Sequence, residues 1–138
     1  MRKMKIYLET TAVSNLDDQR NPERLKEMRA LWLLLKQGMY DVVISWVVQE
    51  EIENNKNIMK KGRLNEYLSE LDYELINRDE TIETIAQDII ANNILTIKNY
   101  RNCLHIASAM VSNCDCIVSY NFDDINNIRT IKGSKLYQ

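Results

Sequence analysis

The hydrophobic pattern along the chain alternates between short, continuous apolar runs and longer segments with helical spacing. The run Val42 to Ile44 is β-branched throughout, which is typical of a strand buried on both faces. After Asp79, isoleucines recur at helical spacing and predict an amphipathic helix with one apolar side. These isoleucines are Ile82, Ile85, Ile89, Ile90 and Ile94.

Each apolar run predicts a strand, and helical segments separate the strands. We expect Thr10 or Thr11 to cap the first helix, Ser45 to cap the third, and Gly38 to end the second. Strands joined through helices imply right-handed parallel crossovers, and therefore a three-layer α/β/α sandwich with a central, mostly parallel sheet of four or five strands. The predicted strands cover residues 4–8, 42–44, 73–76, 116–119 and, as a short fifth, 135–137. The predicted helices begin at or near residues 10, 22, 46, 57, 79 and 100.

The composition is that of one globular domain over residues 1–138. With 138 residues and 45% apolar content, the chain can bury one core but not two ordinary ones. Its apolar stretches are far shorter than the roughly 20 residues of a membrane span, which predicts a soluble protein with no membrane partner. Three cysteines, an odd number without a secretory leader, indicate a reducing compartment, and we expect a cytoplasmic protein.

The charge balance excludes a globally basic surface for nucleic acid. Net charge is −2 and the pI is about 5.5, so any contact with nucleic acid must be local. For each basic cluster, a solvated surface is the favoured interpretation. Tetrahedral zinc is also disfavoured, because a single histidine and no second thiol pair accompany Cys114 and Cys116. With Cys103, they are interpreted as small buried hydrophobes. The basic clusters are Arg2, Lys3 and Lys5; Lys56, Lys60, Lys61 and Arg63; and Arg129, Lys132 and Lys135.

Polar residues follow three of the predicted strands. Glu9-Thr10-Thr11 comes directly after the first strand, and Glu50-Glu51 lies in the helix after the second. Asn121, with Asp123 and Asp124 nearby, follows the fourth. Because the carboxyl ends of parallel strands face one crevice, these groups can converge there, and their oxygens suit a hard divalent cation.

Four segments, in their order and spacing, resemble the PIN domain, and within it the bacterial VapC-type toxin group. The resemblance covers nearly the whole chain and implies a metal-dependent endoribonuclease, the toxin half of a toxin–antitoxin pair. It also implies Mg²⁺ or Mn²⁺ as cofactor, since such a cation can activate water and neutralise charge on a phosphodiester. The segments are Ile6-Tyr7-Leu8-Glu9-Thr10-Thr11, Val43-Ile44-Ser45 followed by Glu50-Glu51-Ile52, Tyr100-Arg101-Asn102-Cys103-Leu104-His105-Ile106-Ala107, and Ile117-Val118-Ser119-Tyr120-Asn121-Phe122.

The resemblance assigns four site positions, of which two keep a carboxylate. The first falls on Glu9, where the family usually has aspartate, and the second on Glu51, with Glu50 as the register alternative. The third falls on Asn102, where the family usually has aspartate, and the fourth on Asn121, where it varies between aspartate and asparagine. Glu9, Glu51 and Asn102 are the expected metal ligands, and all four residues are the expected catalytic group.

Four further residues are assigned supporting roles. The hydroxyls of Thr10 and Thr11 match the small hydroxyl positions beside the first acid, where they can orient a metal-bound water. Asp123 and Asp124 could partly replace the missing charge, although capping of the next turn is the favoured interpretation. His105 lies one helical turn from Asn102, on the same face, but a packed helix histidine is favoured over a functional one.

The predicted function is that of a metal-dependent ribonuclease weakened at Asn102. Two interpretations of Asn102 stand: the natural residue of a weak or inactive nuclease, or an engineered change that lets a toxic protein be produced. The alternative function is a catalytically silent PIN-like module that binds RNA or a protein. A flavodoxin-like or receiver-type signalling domain shares the layered architecture and is disfavoured, because fold alone carries no function.

The resemblance implies an RNA substrate, an antitoxin protein that occludes the site, and a homodimer. Two helical segments, 22–36 and 56–71, carry mixed apolar and charged faces that could receive an antitoxin helix or a second copy of the chain. Trp32, Trp46 and Tyr67 could anchor such contacts, since aromatic residues dominate interface hot spots. A core position for both tryptophans is at least as well supported.

Overall fold

Four short strands form the centre of the structure, and all of them run parallel. A computed structural model describes residues 2–92 and 99–121, and the sheet in this part of the chain has the order β3-β2-β1-β4. Ile6 of the first strand pairs with Val42 on one side and Cys116 on the other. The strands are β1 (Lys5–Leu8), β2 (Asp41–Ser45), β3 (Tyr73–Ile76) and β4 (Cys116–Val118).

Helices connect the strands and complete the three-layer α/β/α sandwich that the sequence predicts. The fold class is therefore confirmed, and within the described residues the sheet has four strands. The predicted fifth strand at 135–137 lies outside the described residues, as does Ile94. The helices are α1 (Thr10–Ser14), α2 (Pro22–Lys36), α3 (Trp46–Glu53), α4 (Ile58–Ser69), α5 (Glu80–Ala91) and α6 (Tyr100–Val111), and a short 3-10 helix (Asn15–Asp17) follows α1.

The central strands are covered on both faces. Val42, Val43 and Ile44 are all buried, although successive side chains of a strand point to opposite faces. This burial explains why β2 reads as a continuous apolar run rather than as an alternating pattern. Trp32 is also buried, and its indole N–H donates to Glu70 at 3.0 Å, so it belongs to the core and not to an exposed anchor surface.

The helix ends follow local chemistry. Gly38 follows α2 with φ +76°, a left-handed conformation that glycine adopts without strain. Ser45 caps α3 by accepting from the Val47 N–H, and Asp79 caps α5 by accepting from Thr81. The prediction that Thr10 or Thr11 caps α1 is wrong. Glu9 is the cap, because its backbone is extended and its carboxylate accepts from the Thr11 N–H.

The cysteines differ in burial. Cys103 is fully buried in α6, as expected for a small apolar residue, and burial raises the pKa of its thiol. Cys114 and Cys116, in contrast, are only partly buried, so the expectation that all three are buried is wrong for these two. Cys114 lies two residues before β4 and Cys116 is its first residue, and β4 is an outer strand of the described sheet. Within residues 2–92 and 99–121, no helix combines the length and apolar character needed to cross a membrane.

A bidentate ion pair ties the 3-10 helix to α4. Arg63 donates to both carboxylate oxygens of Asp17, at 2.6 and 2.8 Å. The hydrogen bond from Arg63 holds the pKa of Asp17 below its usual value, and this contact stabilises the folded state wherever Asp17 is ionised.

Asp17→Asn should therefore lower the melting temperature by a few degrees at pH 7. A depressed folded-state pKa contributes stability above the unfolded value of about 3.9, and this stability is lost as pH falls through the folded pKa. The difference between the two proteins should accordingly shrink below about pH 4. Thermal denaturation from pH 2 to pH 8 measures it, with Glu66→Gln, an exposed change on α4, as the control. If the difference in melting temperature between the two proteins does not change with pH, the ion pair is not its source.

Candidate metal centre

Three elements bring acidic and imidazole side chains to the carboxyl edge of the sheet. Glu9 lies directly after β1, Glu51 lies on the second turn of α3 after β2, and His105 lies on α6. Ligand atoms of the three residues all lie within 4.8 Å of one another. The structure thus brings Glu9 and Glu51 into one cluster, although they are distant in the sequence. Thr10, the neighbour of Glu9, donates a hydrogen bond to Glu51, which lies 41 positions further along the chain.

Glu9 is almost completely buried, with 2% of its surface exposed. Its Oε1 accepts three hydrogen bonds, from the Thr11 N–H at 3.1 Å, the Thr11 hydroxyl at 2.5 Å and the Ser119 hydroxyl at 2.6 Å. Burial of a charged group is costly unless donors compensate it, and these three donors supply that compensation. Oε2 is directed towards the rest of the cluster, 3.8 Å from Nε2 of His105.

Glu51 receives donors on both carboxylate oxygens. Oε1 accepts from the Thr10 hydroxyl and lies 2.9 Å from Nε2 of His105, while Oε2 accepts from Nε of Arg101 at 3.0 Å. Burial alone would raise the pKa of Glu51, but His105, Thr10 and Arg101 together outweigh it and lower the pKa to about 2. Glu51 is therefore a carboxylate throughout the physiological pH range.

The two neighbouring threonines hold different acids. Thr10 donates to Glu51 and Thr11 donates to Glu9, so the first turn of α1 fixes both carboxylates relative to each other. Glu50, the register alternative, is exposed and contacts Arg101 at 3.2 Å instead of entering the cluster. The helix phase of α3 thus places residue 51, and not residue 50, beside Glu9.

The two asparagines form a pair at the edge of this cluster. Nδ2 of Asn121 donates to Oδ1 of Asn102 at 2.6 Å, and the Asn121 N–H donates to Ser119 at 3.0 Å. Because Ser119 also donates to Glu9, hydrogen bonds connect the amide pair to the buried acid. Asp123 and Asp124 lie outside the described residues.

Sequence reasoning missed Arg101, Ser119, Tyr7 and Ser45, and it favoured a packing role for His105. His105 is indeed fully buried, but both of its nitrogens have polar partners: Nδ1 lies 2.6 Å from the Tyr7 hydroxyl, and Nε2 faces Glu51. The helical spacing from Asn102 was the available signal, since it places His105 on the same helix face. Nothing in the sequence showed that this face meets α3.

Arg101 and a divalent cation would share the same carboxylate. Arg101 donates to Glu51, to Glu50 and to the Val47 carbonyl, while 42% of its side chain remains exposed. Because an opposite charge beside Glu51 offsets the attraction for a cation, Arg101 should weaken metal binding.

Arg101→Gln should tighten Mn²⁺ binding by about 3- to 10-fold, in the range expected for removal of one partly exposed charge. Isothermal titration calorimetry measures this change. The matched control is Arg78→Gln, which removes an arginine bound to Glu83 rather than to Glu51. Unchanged or weaker Mn²⁺ binding by Arg101→Gln would show that Arg101 does not compete with the cation.

The described basic clusters lie in different places relative to the acidic centre. Arg2 and Lys5 stand at the amino edge of the sheet, opposite the centre, and pair with Asp115 and Glu74. On α4, Lys61 pairs with Glu53 and Arg63 pairs with Asp17. The cluster at 129–135 lies outside the described residues.

The fold and the cluster define a parallel α/β sandwich with a carboxylate–imidazole centre at its carboxyl edge. No family model matches the chain, and no curated protein matches it. A chain in the crystal structure of VapBC2 from Rickettsia felis bound to a DNA fragment from their promoter is similar in fold, with TM-score 0.62 and 19% sequence identity. The similarity covers 92% of this chain and 95% of that one, and at this identity it shows the shared fold.

Proposed function

We propose that this protein is a metal-dependent endoribonuclease of the PIN type, acting in the cytoplasm as the toxin of a toxin–antitoxin pair. The observation that carries the proposal is the convergence of Glu9, Glu51 and His105 at the carboxyl edge of a parallel sheet. The fold shared with a chain of the VapBC2 complex supports the assignment. An antitoxin partner, an RNA substrate and a homodimer are part of the proposal, because the sequence motifs resemble those of the VapC-type group.

The donor set fits a divalent cation. Two carboxylates offer hard anionic oxygens, and the threonine and serine hydroxyls hold those carboxylates in place. When bound, such an ion supplies charge neutralisation on a phosphodiester and activation of water. Glu9 and Glu51 would hold it, and Asn102, the third expected ligand, has its Oδ1 engaged by Asn121.

The chain's own residues prepare the site in two ways. Thr11 and Ser119 fix one carboxylate oxygen of Glu9, which leaves Oε2 directed into the cluster. Thr10 fixes Oε1 of Glu51 by donating to it, and Arg101 donates to Oε2. Residues held in position before substrate arrives need no reorganisation during the reaction, which is the main protein contribution to phosphoryl transfer.

The test is cleavage of RNA by the purified protein with Mg²⁺ or Mn²⁺. We expect slow, metal-dependent cleavage that EDTA abolishes and Glu9→Gln reduces to background. Glu9→Gln is a sharp probe because the amide oxygen can still accept from Thr11 and Ser119. Absence of cleavage by both the protein and its Asn102→Asp variant would remove the ribonuclease assignment.

A second candidate function is a silent PIN-like module that binds RNA or a protein without cleaving it. The amide pair of Asn102 and Asn121 favours it, because neither residue brings negative charge to the site. Thermal unfolding with millimolar Mn²⁺ discriminates the two, since a ligand that binds only the folded state raises the melting temperature. A rise supports the metal-dependent enzyme, and no rise supports the silent module.

A further inference from the structure

His105 contributes a nitrogen to a cluster whose other donors are carboxylate oxygens. Its Nε2 lies 2.9 Å from Glu51 Oε1 and 3.8 Å from Glu9 Oε2. Neighbouring ligands of a cation bound at about 2.1 Å are separated by roughly 3 Å in an octahedral site. The observed separations thus require only small side-chain shifts to surround one ion.

A buried relay behind His105 allows Nε2 to act as a ligand. The Tyr7 hydroxyl lies 2.6 Å from Nδ1 and 2.7 Å from the Ser45 hydroxyl, and Tyr7, Ser45 and His105 are all fully buried. A hydroxyl can donate or accept. If Nδ1 carries the ring proton, it donates to Tyr7, Tyr7 donates to Ser45, and the Nε2 lone pair is directed at the two acids.

This arrangement is typical of metal-binding histidines. Such residues almost always donate their second ring N–H to a fixed partner, which orients the ring and raises its basicity. Here the partner is itself anchored, because Ser45 ends β2 and caps α3 by accepting from Val47 at 3.2 Å. Tyr7 lies on β1, one of the two inner strands of the sheet, and is completely buried.

We propose that His105 is a direct metal ligand and that this centre selects a first-row transition metal, Mn²⁺, Fe²⁺ or Co²⁺, over Mg²⁺. Carboxylates suit Mg²⁺ and Mn²⁺ alike, whereas an imidazole nitrogen favours transition metals and Mg²⁺ prefers oxygen. The proposal deepens the proposed function by naming the class of metal and the third ligand. In the alternative, His105 donates to Glu51 and only positions it.

The decisive readout is the electron spin-echo modulation of the unmodified protein loaded with Mn²⁺. A ligating imidazole gives a nitrogen-14 coupling at the ion, and a histidine that only donates to Glu51 gives none. We expect the coupling to be present in the protein and absent in His105→Gln. Mn²⁺ bound without a nitrogen coupling overturns the proposal, and so does failure of Mn²⁺ to bind.

Metal affinities provide a second readout that does not depend on catalysis. Any nitrogen and oxygen site binds Co²⁺ more tightly than Mg²⁺, so the informative quantity is the change on mutation. His105→Gln should weaken Co²⁺ binding by roughly 100-fold and Mg²⁺ binding by no more than about 3-fold. Equal losses for both ions would indicate a positioning role. Tyr7→Phe removes the relay with little change in shape and should weaken Co²⁺ binding by about 10-fold.

This outcome is separable from the ribonuclease assignment. A nitrogen coupling without RNA cleavage would support the metal centre while removing the nuclease. RNA cleavage without a nitrogen coupling would support the nuclease while removing His105 as a ligand.

Discussion

Asn102→Asp should raise both Mn²⁺ affinity and RNA cleavage by about 10-fold or more. The change adds one negative charge beside the site, and the attraction between a unit charge and a divalent ion a few ångströms away is several kcal/mol at an effective dielectric constant near 20. A tenfold gain corresponds to about 1.4 kcal/mol, so it needs only a fraction of this attraction to remain after the new carboxylate is desolvated. The new carboxylate would also keep an oxygen that accepts from Nδ2 of Asn121. The hydrogen bond between residues 102 and 121 should therefore persist.

Asn99→Asp is the matched control for Asn102→Asp. Asn99 is the exposed cap of α6 and accepts from the Asn102 N–H, a role that aspartate fulfils equally well. It adds the same charge at an exposed helix cap, where solvent screens it, rather than within the amide pair, and should change Mn²⁺ affinity by only about 2-fold. Equal gains from the two variants would mean that general charge, and not a ligand position, controls the site.

Glu51→Gln should weaken Mn²⁺ binding by about 100-fold or more and reduce cleavage to background. The carboxylate is held by polar groups of two helices, α1 and α6, and stays ionised at physiological pH because its pKa is about 2. The amide removes that charge but keeps an oxygen that can accept from Thr10, so the fold should survive. Loss of a ligand should cost more than the 10- to 100-fold that loss of an outer partner costs.

Glu50→Gln provides the comparison for Glu51→Gln within the same helix. Glu50 is the neighbouring acid, but it is exposed and contacts only Arg101 among the groups of the site. It should leave Mn²⁺ affinity within about 3-fold of the original protein, as expected for an exposed charge. Calorimetry on both variants, together with circular dichroism to verify folding, decides the matter. Retained binding by Glu51→Gln would remove Glu51 from the centre.

The pattern of short apolar runs and helical segments was sufficient to predict the fold. A continuous run such as Val42 to Ile44 has one stable environment, a strand covered on both faces, and such strands require helical crossovers. Parallel strands then fix which edge carries Glu9 and Ser119. Local order was less predictable: Glu9 itself caps α1, because its side chain folds back onto Thr11.

The site was predictable where the backbone decides and unpredictable where side-chain contacts across the fold decide. Glu9 follows a strand, so its edge is fixed by topology. The choice between Glu50 and Glu51 depends on which of them α3 turns towards Glu9. A sequence pattern locates the start of a helix only to within a residue or two, so it cannot decide between two adjacent positions. The role of His105 depends on how α6 packs against α3, and Arg101 depends on the same packing. Neither contact can be recognised from the residues that surround His105 or Arg101 in the sequence.

The most direct test of the metal centre is a crystal structure of the protein soaked with Mn²⁺, with anomalous scattering used to locate the ion. We expect one peak among Glu9 Oε2, a Glu51 oxygen and His105 Nε2, at about 2.0–2.3 Å from each. A peak elsewhere in the molecule, or no peak at a Mn²⁺ concentration that saturates binding in solution, would contradict this expectation.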